Sequence, residues 1–390
     1  MPDLGTAPAV FEIGLILLLA VGAGWLFRRF GLPAILGYLL VGVAVSPFTP
    51  GYVANRGELE LLADVGVVLL LFEVGIEIDP LRLGRSGLSL LWMAPLQVVI
   101  TTIAAGAGLL AFGLTPPAAV LIGLSLAMSS SVVVINITRS KRRTTNRPTE
   151  EALLAWSVLQ DLASVGLALV LLSILGLGTL PPFPAIASVV AFIVLAVAAA
   201  WLLPRLLHGL RSEHDLFLLL SVGAGLGLAG LGARFFGVPL AIAAFIAGLA
   251  IGESPAAAEA RRRILPFRDL FAVLFFVLLG SLIEPAMLPA ALPWIALLFA
   301  AVVLAKVLPV LLLASLARLP DVRPWQLAVG LGQVGEFSFV LATIVLGRSL
   351  IPSELFTAIL ATVVLTIAVS TILVRLGTRV DPVTQAQAAR

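Results

Sequence analysis

Residues 328–345 read AVGLGQVGEFSFVLATIV, an apolar run broken near its start by Gly330, Gly332 and Gly335 around Gln333 and Glu336. Glycine is poor in a helix interior and tolerates unwound backbone. The stretch therefore predicts a helix interrupted beside two polar side chains. A second run, LSLAMSSSVVVINI at 124–137, carries Ser129, Ser130 and Ser131 in a row and then Asn136. Serine hydroxyls bond to preceding carbonyls and distort helices, so this segment is also expected to break.

The surroundings of both runs define their solvent. The chain of 390 residues is 61% hydrophobic and 12% charged, where a soluble domain carries about a quarter charged residues. Thirteen apolar segments reach spanning or near-spanning length, at about 9–27, 31–47, 58–78, 86–112, 117–137, 151–177, 185–207, 214–232, 236–252, 267–284, 291–317, 323–346 and 354–375. The expected fold class is an all-α polytopic membrane protein. No cleavable leader is evident ahead of the first segment. Cysteine is absent, which excludes disulfides and thiolate metal sites.

Lysine and arginine orient the segments. Twenty of the 24 fall in alternate connections or the tail, among them Arg28/Arg29, the run at 139–147, Arg205/Arg211, Arg261–Arg263 and Arg318/Arg323. The intervening connections hold Arg56, Arg234 and Arg348. The positive-inside rule puts the N-terminus outside and the C-terminus in the cytoplasm of a cell inner (plasma) membrane protein. These basic clusters read as topology and lipid-headgroup anchors, so the excess of positive charge implies lipid contact and no nucleic acid. Segments one to six and eight to thirteen form two six-helix halves, with segment seven as linker. An odd linker inverts one half relative to the other. The two broken segments are the fifth of each half, the arrangement that marks a transporter site.

One basic residue lies outside this pattern: Lys306, in the middle of segment eleven. Segment six, apolar from Ala152 to Leu177, carries Gln160 and Asp161 in SVLQDLASVG at 157–166. At about 1.5 Å per residue, Asp161 is roughly 15 Å from the cytoplasmic end, near the middle of a core about 30 Å thick. Lys306 and Glu336 fall at a similar depth. Buried charges need partners, and this shared depth supplies them. Asp161 is the expected ligand of a small monovalent cation, with Gln160 and the groups near Ser129, Ser130 and Ser131 completing an oxygen shell. A carboxylate must lose its proton to bind a cation, so protons and cations compete for it. Lys306, Glu336 and Gln333 serve charge compensation or proton coupling. Glu73, in LLLFEVGIEIDP at 69–80, is a candidate for an inner funnel.

Five stretches together resemble the second branch of the monovalent cation/proton antiporters, and Kef-type potassium/proton antiporters in particular: VGVVLLLFEVGIEIDPLRL at 65–83, LSLAMSSSVVV at 124–134, VLQDLA at 158–163, the arrangement ES…RRRILPFRDLFAVLFFVLLGSLI at 253–283, and GQVGEFSFVL at 332–341. The resemblance implies an NhaA-like fold with two crossing broken helices, elevator-type alternating access and a homodimer. It implies scaffold helices at about 9–78 and 214–284, a linker helix at about 185–207 and core helices at about 86–177 and 291–375, within a membrane domain of 1–376. In that family the Gln-Asp pair is the ion-site signature, landing on Gln160 and Asp161, the core lysine lands on Lys306, and the broken-helix Gln/Glu land on Gln333 and Glu336. No cofactor is implied. Kef-type chains usually continue into a cytoplasmic nucleotide-binding domain, whereas the expectation here is a short tail, 377–390, with a separate regulatory subunit left open. The proline often found after the Gln-Asp pair is replaced by Ser164-Val165-Gly166.

The functional expectation is a proton-coupled antiporter for K⁺ or Na⁺ and not an enzyme. A sodium-coupled solute symporter or channel on a related fold, and a non-transporting sensor, stay open as alternatives.

Overall fold

The structure is a computed structural model and describes residues 7–49, 56–77, 88–130, 133–134, 145–177, 182–210, 213–252, 257–317, 319–335 and 337–376. Among these residues the regular structure is helical throughout, with no strand. Among the described residues eight helices are long and apolar enough to cross a membrane by length and composition. The chain is thus a multi-pass membrane protein. The remaining apolar segments fall short for visible reasons. Segment three carries Glu60, Asp64 and Glu73, and the helices of segments two, five and nine have 11, 12 and 13 residues.

The chain divides into two compact units. The first comprises residues 1–29, 34–81 and 169–285. Its helices are α1 (Ala7–Arg29), α2 (Ala34–Ala44) and α3 (Arg56–Glu77), followed later in the chain by four more. The second comprises residues 30–33, 82–168 and 286–390. It holds α4 (Leu88–Ala111), α5 (Pro116–Ala127) and most of α6 (Arg147–Ile174). The first unit resumes with α7 (Pro182–Gly209), α8 (His214–Phe236), α9 (Leu240–Gly252) and α10 (Ala257–Ser281). The second closes with α11 (Leu288–Val302), a π turn (Val303–Val307), α12 (Leu308–Leu316), α13 (Pro324–Gly330), α14 (Phe337–Gly347) and α15 (Ser353–Leu376).

In the first unit α10 packs on α3 and α2, and α9 on α3. Glycine sets how close they come. A Cβ on Gly42 would lie 2.7 Å from the Cα of Gly280, and one on Gly75 would lie 2.9 Å from the Cα of Gly248. Small residues of this kind let helix backbones meet where no large side chain could fit. The two contacts, α2 with α10 and α9 with α3, have matching sequence settings. Gly31-Leu-Pro33 precedes Gly42 by the same spacing as Gly237-Val-Pro239 precedes Gly248, and Gly31 and Gly237 both take positive φ (77° and 65°). Gly75 leads to Asp79-Pro80 as Gly280 leads to Glu284-Pro285. A repeat thus runs through the chain that the broken segments alone did not reveal.

Helix α1 buries only the stripe Ile16, Ala20, Gly24, while Val10, Phe11, Leu18 and Val21 stay exposed. Exposed apolar area of this extent fits lipid or a second protein surface, not water.

In the second unit α4 packs on α5, α14 on α5, and α15 on α11 and α13. Segment five stops being helical at Ala127, where Met128 turns to extended backbone. Segment twelve stops at Gly330 and resumes at Phe337. Both predicted interruptions are present.

Candidate functional site: a lysine between two broken helices

The breaks are stitched to each other inside the second unit. The Gly335 N–H donates to the Met128 carbonyl at 3.0 Å. The Ser129 hydroxyl donates to the Leu331 carbonyl at 2.8 Å. Gln333 binds the opposite backbone twice, its Oε1 accepting from the Ser130 N–H at 2.6 Å and its Nε2 donating to the Ser130 carbonyl at 3.3 Å. A Cβ on Gly335 would stand 2.5 Å from the Ser129 carbonyl oxygen, so the crossing requires glycine there. From α15, the Ser370 hydroxyl donates to the Val329 carbonyl at 2.6 Å and the Thr366 oxygen accepts from the Val334 N–H at 3.2 Å. These bonds pair several of the unwound backbone groups with protein partners.

Two helices, α5 and α13, end at this crossing, and each C-terminus carries about half a negative charge. Lys306 meets both. Its ammonium, 0% exposed, donates to the Met128 carbonyl at 2.8 Å and to the Gln333 carbonyl at 2.7 Å. The lysine lies in the π turn that links α11 to α12, and such bulges often mark functional positions. Asp161 on α6 is 1% exposed and interacts electrostatically with Lys306. An acid, a base and two helix ends are thus gathered in one buried place.

The Gln-Asp pair has a further neighbour. Gln160 Nε2 donates to Gln97 Oε1 at 2.5 Å, and Gln97 Nε2 donates to the Thr101 hydroxyl at 2.9 Å. Neither Gln97 nor Thr101 was singled out from sequence. The available signal was two polar residues one helical turn apart in the apolar run LLWMAPLQVVITTIAAG at 90–106. On α6, Trp156 Nε1, Gln160 Oε1 and Ser164 Oγ are buried and make no hydrogen bond. They stand at intervals of four, on one helix face. The three atoms differ in chemistry: Trp156 Nε1 can only donate, Gln160 Oε1 can only accept, and Ser164 Oγ can do either.

Of the other predicted residues, Ser129 and Ser130 are engaged at the crossing as described, with Ser130 Oγ also accepting weakly from the Val133 N–H at 3.4 Å. Ser131, Asn136 and Glu336 lie outside the described residues. Glu73 belongs to the first unit and is 1% exposed. One of its oxygens accepts from Arg261, the other from Arg268 Nη1 at 2.8 Å. Among the described residues no group of three or more His, Cys, Asp or Glu could hold a metal ion.

The sequence profile of the family described as "Sodium/hydrogen exchanger, transmembrane" matches residues 15–376. The chain belongs to this family. As a sodium/hydrogen exchanger family member it is a secondary transporter, not an enzyme, and works on transported ions without a cofactor. Among solved structures it is similar to the sodium proton antiporter MjNhaP1 from Methanocaldococcus jannaschii at pH 8, with a TM-score of 0.77 at 20% identity over 96% of this chain and 98% of that one. An electron-microscopy structure of MjNhaP1 matches with a TM-score of 0.70 at 20% identity, covering 94% and 95%. At that identity the likeness concerns the fold. The family is wider than the Kef-type group that the motifs resemble.

Proposed function

We propose that this exchanger family member is an antiporter of a monovalent cation, K⁺ or Na⁺, against protons, with Asp161 as the carboxylate that the two ions occupy in turn. The observation that carries this reading is the buried Asp161 beside a lysine that is itself held by the ends of two broken helices. A carboxylate in such a place is costly unless it is used. When Asp161 is deprotonated it attracts a cation; when protonated it releases one. Lys306 offsets the negative helix ends and the carboxylate during the interval in which neither ion is bound. Gln160 supplies a neutral oxygen to the cation. Ser129, Ser130, Ser131, Gln333 and Glu336 shape or compensate the crossing.

In the same reading the chain crosses the membrane thirteen times as two inverted halves around a linker, in the NhaA-like manner. The register of the glycine contacts supports it: Gly75 and Gly280, Met128 and Gln333, and Thr101 and Lys306 are separated by the same number of residues. Lys306 therefore donates to two carbonyls that are equivalent positions of the repeat. The first unit acts as scaffold and dimer surface and the second as the moving core of an elevator in the inner membrane. Its separation into two compact units and the exposed apolar face of α1 support this division. Glu73, held by Arg261 and Arg268, serves as a structural counter-ion.

Asp161→Asn tests the central step. Purified variant in proteoliposomes should lose cation-driven proton flux and remain a folded dimer by size exclusion. Exchange at the wild-type rate would overturn the reading.

A further inference from the structure

We propose that Gln97 and Thr101 determine which end of the Gln160 side-chain amide faces the ion, and that they lock it with oxygen outward. The inference rests on the reading of Gln160 and Asp161 as the cation site and adds two positioning residues to it.

The relay originates at a proline. In an α-helix the carbonyl of Ala305 would accept from the N–H of residue 309. Residue 309 is proline, which has no N–H and whose ring crowds the carbonyl four residues before it. The helix responds with the π turn Val303–Val307, in which the Leu308 N–H reaches the Val303 carbonyl. The Ala305 carbonyl is bonded from outside the helix instead, by the Thr101 hydroxyl at 2.6 Å.

That one contact gives direction to everything joined to it. A carbonyl can only accept, so the single hydroxyl proton of Thr101 is committed to Ala305. The Thr101 oxygen must then accept, and Gln97 Nε2 donates to it at 2.9 Å. With its nitrogen fixed on Thr101, Gln97 turns its oxygen to α6 and must receive a donor there. Gln160 Nε2 is that donor, at 2.5 Å. Gln160 Oε1 is left pointing elsewhere, buried and with no hydrogen bond. Reversing the Gln160 amide would set two oxygens against each other. Reversing Gln97 as well would set its oxygen against a hydroxyl with no proton left to give. All three side chains are 0% exposed, so bulk water cannot rescue a reversed arrangement.

The consequence is specific to a cation. A glutamine amide free to flip would present NH₂ to the site part of the time, and an NH₂ repels a positive ion. The relay removes that alternative and presents a hard oxygen, the ligand type that alkali cations require. It also ties that oxygen to the π turn carrying Lys306, so the ligand and the compensating charge are held by a single bonded chain.

The test uses full-length protein in proteoliposomes, with KM and kcat measured separately for Na⁺, K⁺ and Li⁺. Gln97→Leu and Thr101→Val should each raise the cation KM by about tenfold, as loss of a partner that orients a metal ligand commonly does, with kcat changed by less than about twofold. Thr101→Ser, which keeps the hydroxyl, should restore the wild-type KM. In a Gln160→Leu background, where the oriented oxygen is already gone, Gln97→Leu should add nothing. An unchanged KM in Gln97→Leu, or an effect that multiplies with Gln160→Leu, overturns the proposal. Should Gln97→Leu fail to fold, Thr101→Val against Thr101→Ser decides it, equal KM values being the overturning result. The two readings fail separately. Exchange by Asp161→Asn sinks the ion site itself, whereas an inactive Asp161→Asn with a wild-type KM in Gln97→Leu sinks only the relay.

Discussion

At the scale of single residues, cost made Asp161 and Lys306 readable. An ionisable side chain inside an apolar run is expensive enough to be noticed without a structure. Gln97 and Thr101 were not readable, because uncharged polar residues are common in spanning helices and their meaning here comes from Pro309, a residue about two hundred positions away. The difference gives two predictions. Since a protonated carboxylate cannot hold a cation, the apparent KM for the cation should rise as the pH falls, by up to about tenfold per pH unit in the acid limit. Proton-flux assays at a series of pH values check this, and a KM that falls with acidity would contradict competition at one group. Lys306→Ala should lower the thermal midpoint in detergent. Two buried carbonyls lose hydrogen bonds to a charged donor, each worth about 1.5–3 kcal/mol. The same variant should change the pH dependence of exchange or the charge moved per cycle. If exchange keeps both while the midpoint drops, the lysine serves only the crossing.

Elements were readable where backbone chemistry departs from the helical norm within a few residues. The glycines of 330–335 and the serines of 129–131 mark the breaks because each weakens a helix locally. The partner of each break was not marked, since the bonds from Gln333 to Ser130 and from Gly335 to Met128 join positions far apart in the chain. The π turn was invisible for a related reason: Pro309 announces a lost hydrogen bond but not the distortion that absorbs it. Helix contact by glycine can be tested directly. Gly248→Ala places its Cβ 2.9 Å from the Cα of Gly75, against backbone that has no rotamer to yield. Overpacking of this kind costs about 1–3 kcal/mol. Gly14→Ala and Gly22→Ala on α1 meet nothing within 4 Å. The first variant should lower the thermal midpoint by several degrees, and the other two should leave it unchanged.

For the molecule as a whole, the informative residues are the cheap ones in the connections. In the proposed topology lysine and arginine alternate between sides with few exceptions, and a single miscounted crossing would invert half of the pattern. The repeat is a separate constraint on the same topology. In the proposed topology its two copies, with Pro33 before Gly42 and Pro239 before Gly248, face opposite sides of the membrane, which needs an odd number of crossings between them. Thr115 and Glu213 provide a decisive pair. Each precedes a helix, α5 and α8 respectively, without a side-chain capping bond, and each is exposed. The charge pattern predicts Thr115 outside and Glu213 in the cytoplasm. The chain has no cysteine, so Thr115→Cys and Glu213→Cys each carry a single thiol in an otherwise native background. A membrane-impermeant maleimide added to intact cells should label Thr115→Cys and leave Glu213→Cys unlabelled until the membrane is permeabilised. The opposite pattern would reverse the orientation of every segment, and labelling of both from outside would mean that an even number of crossings separates them, removing the odd linker on which the inversion of the two halves depends.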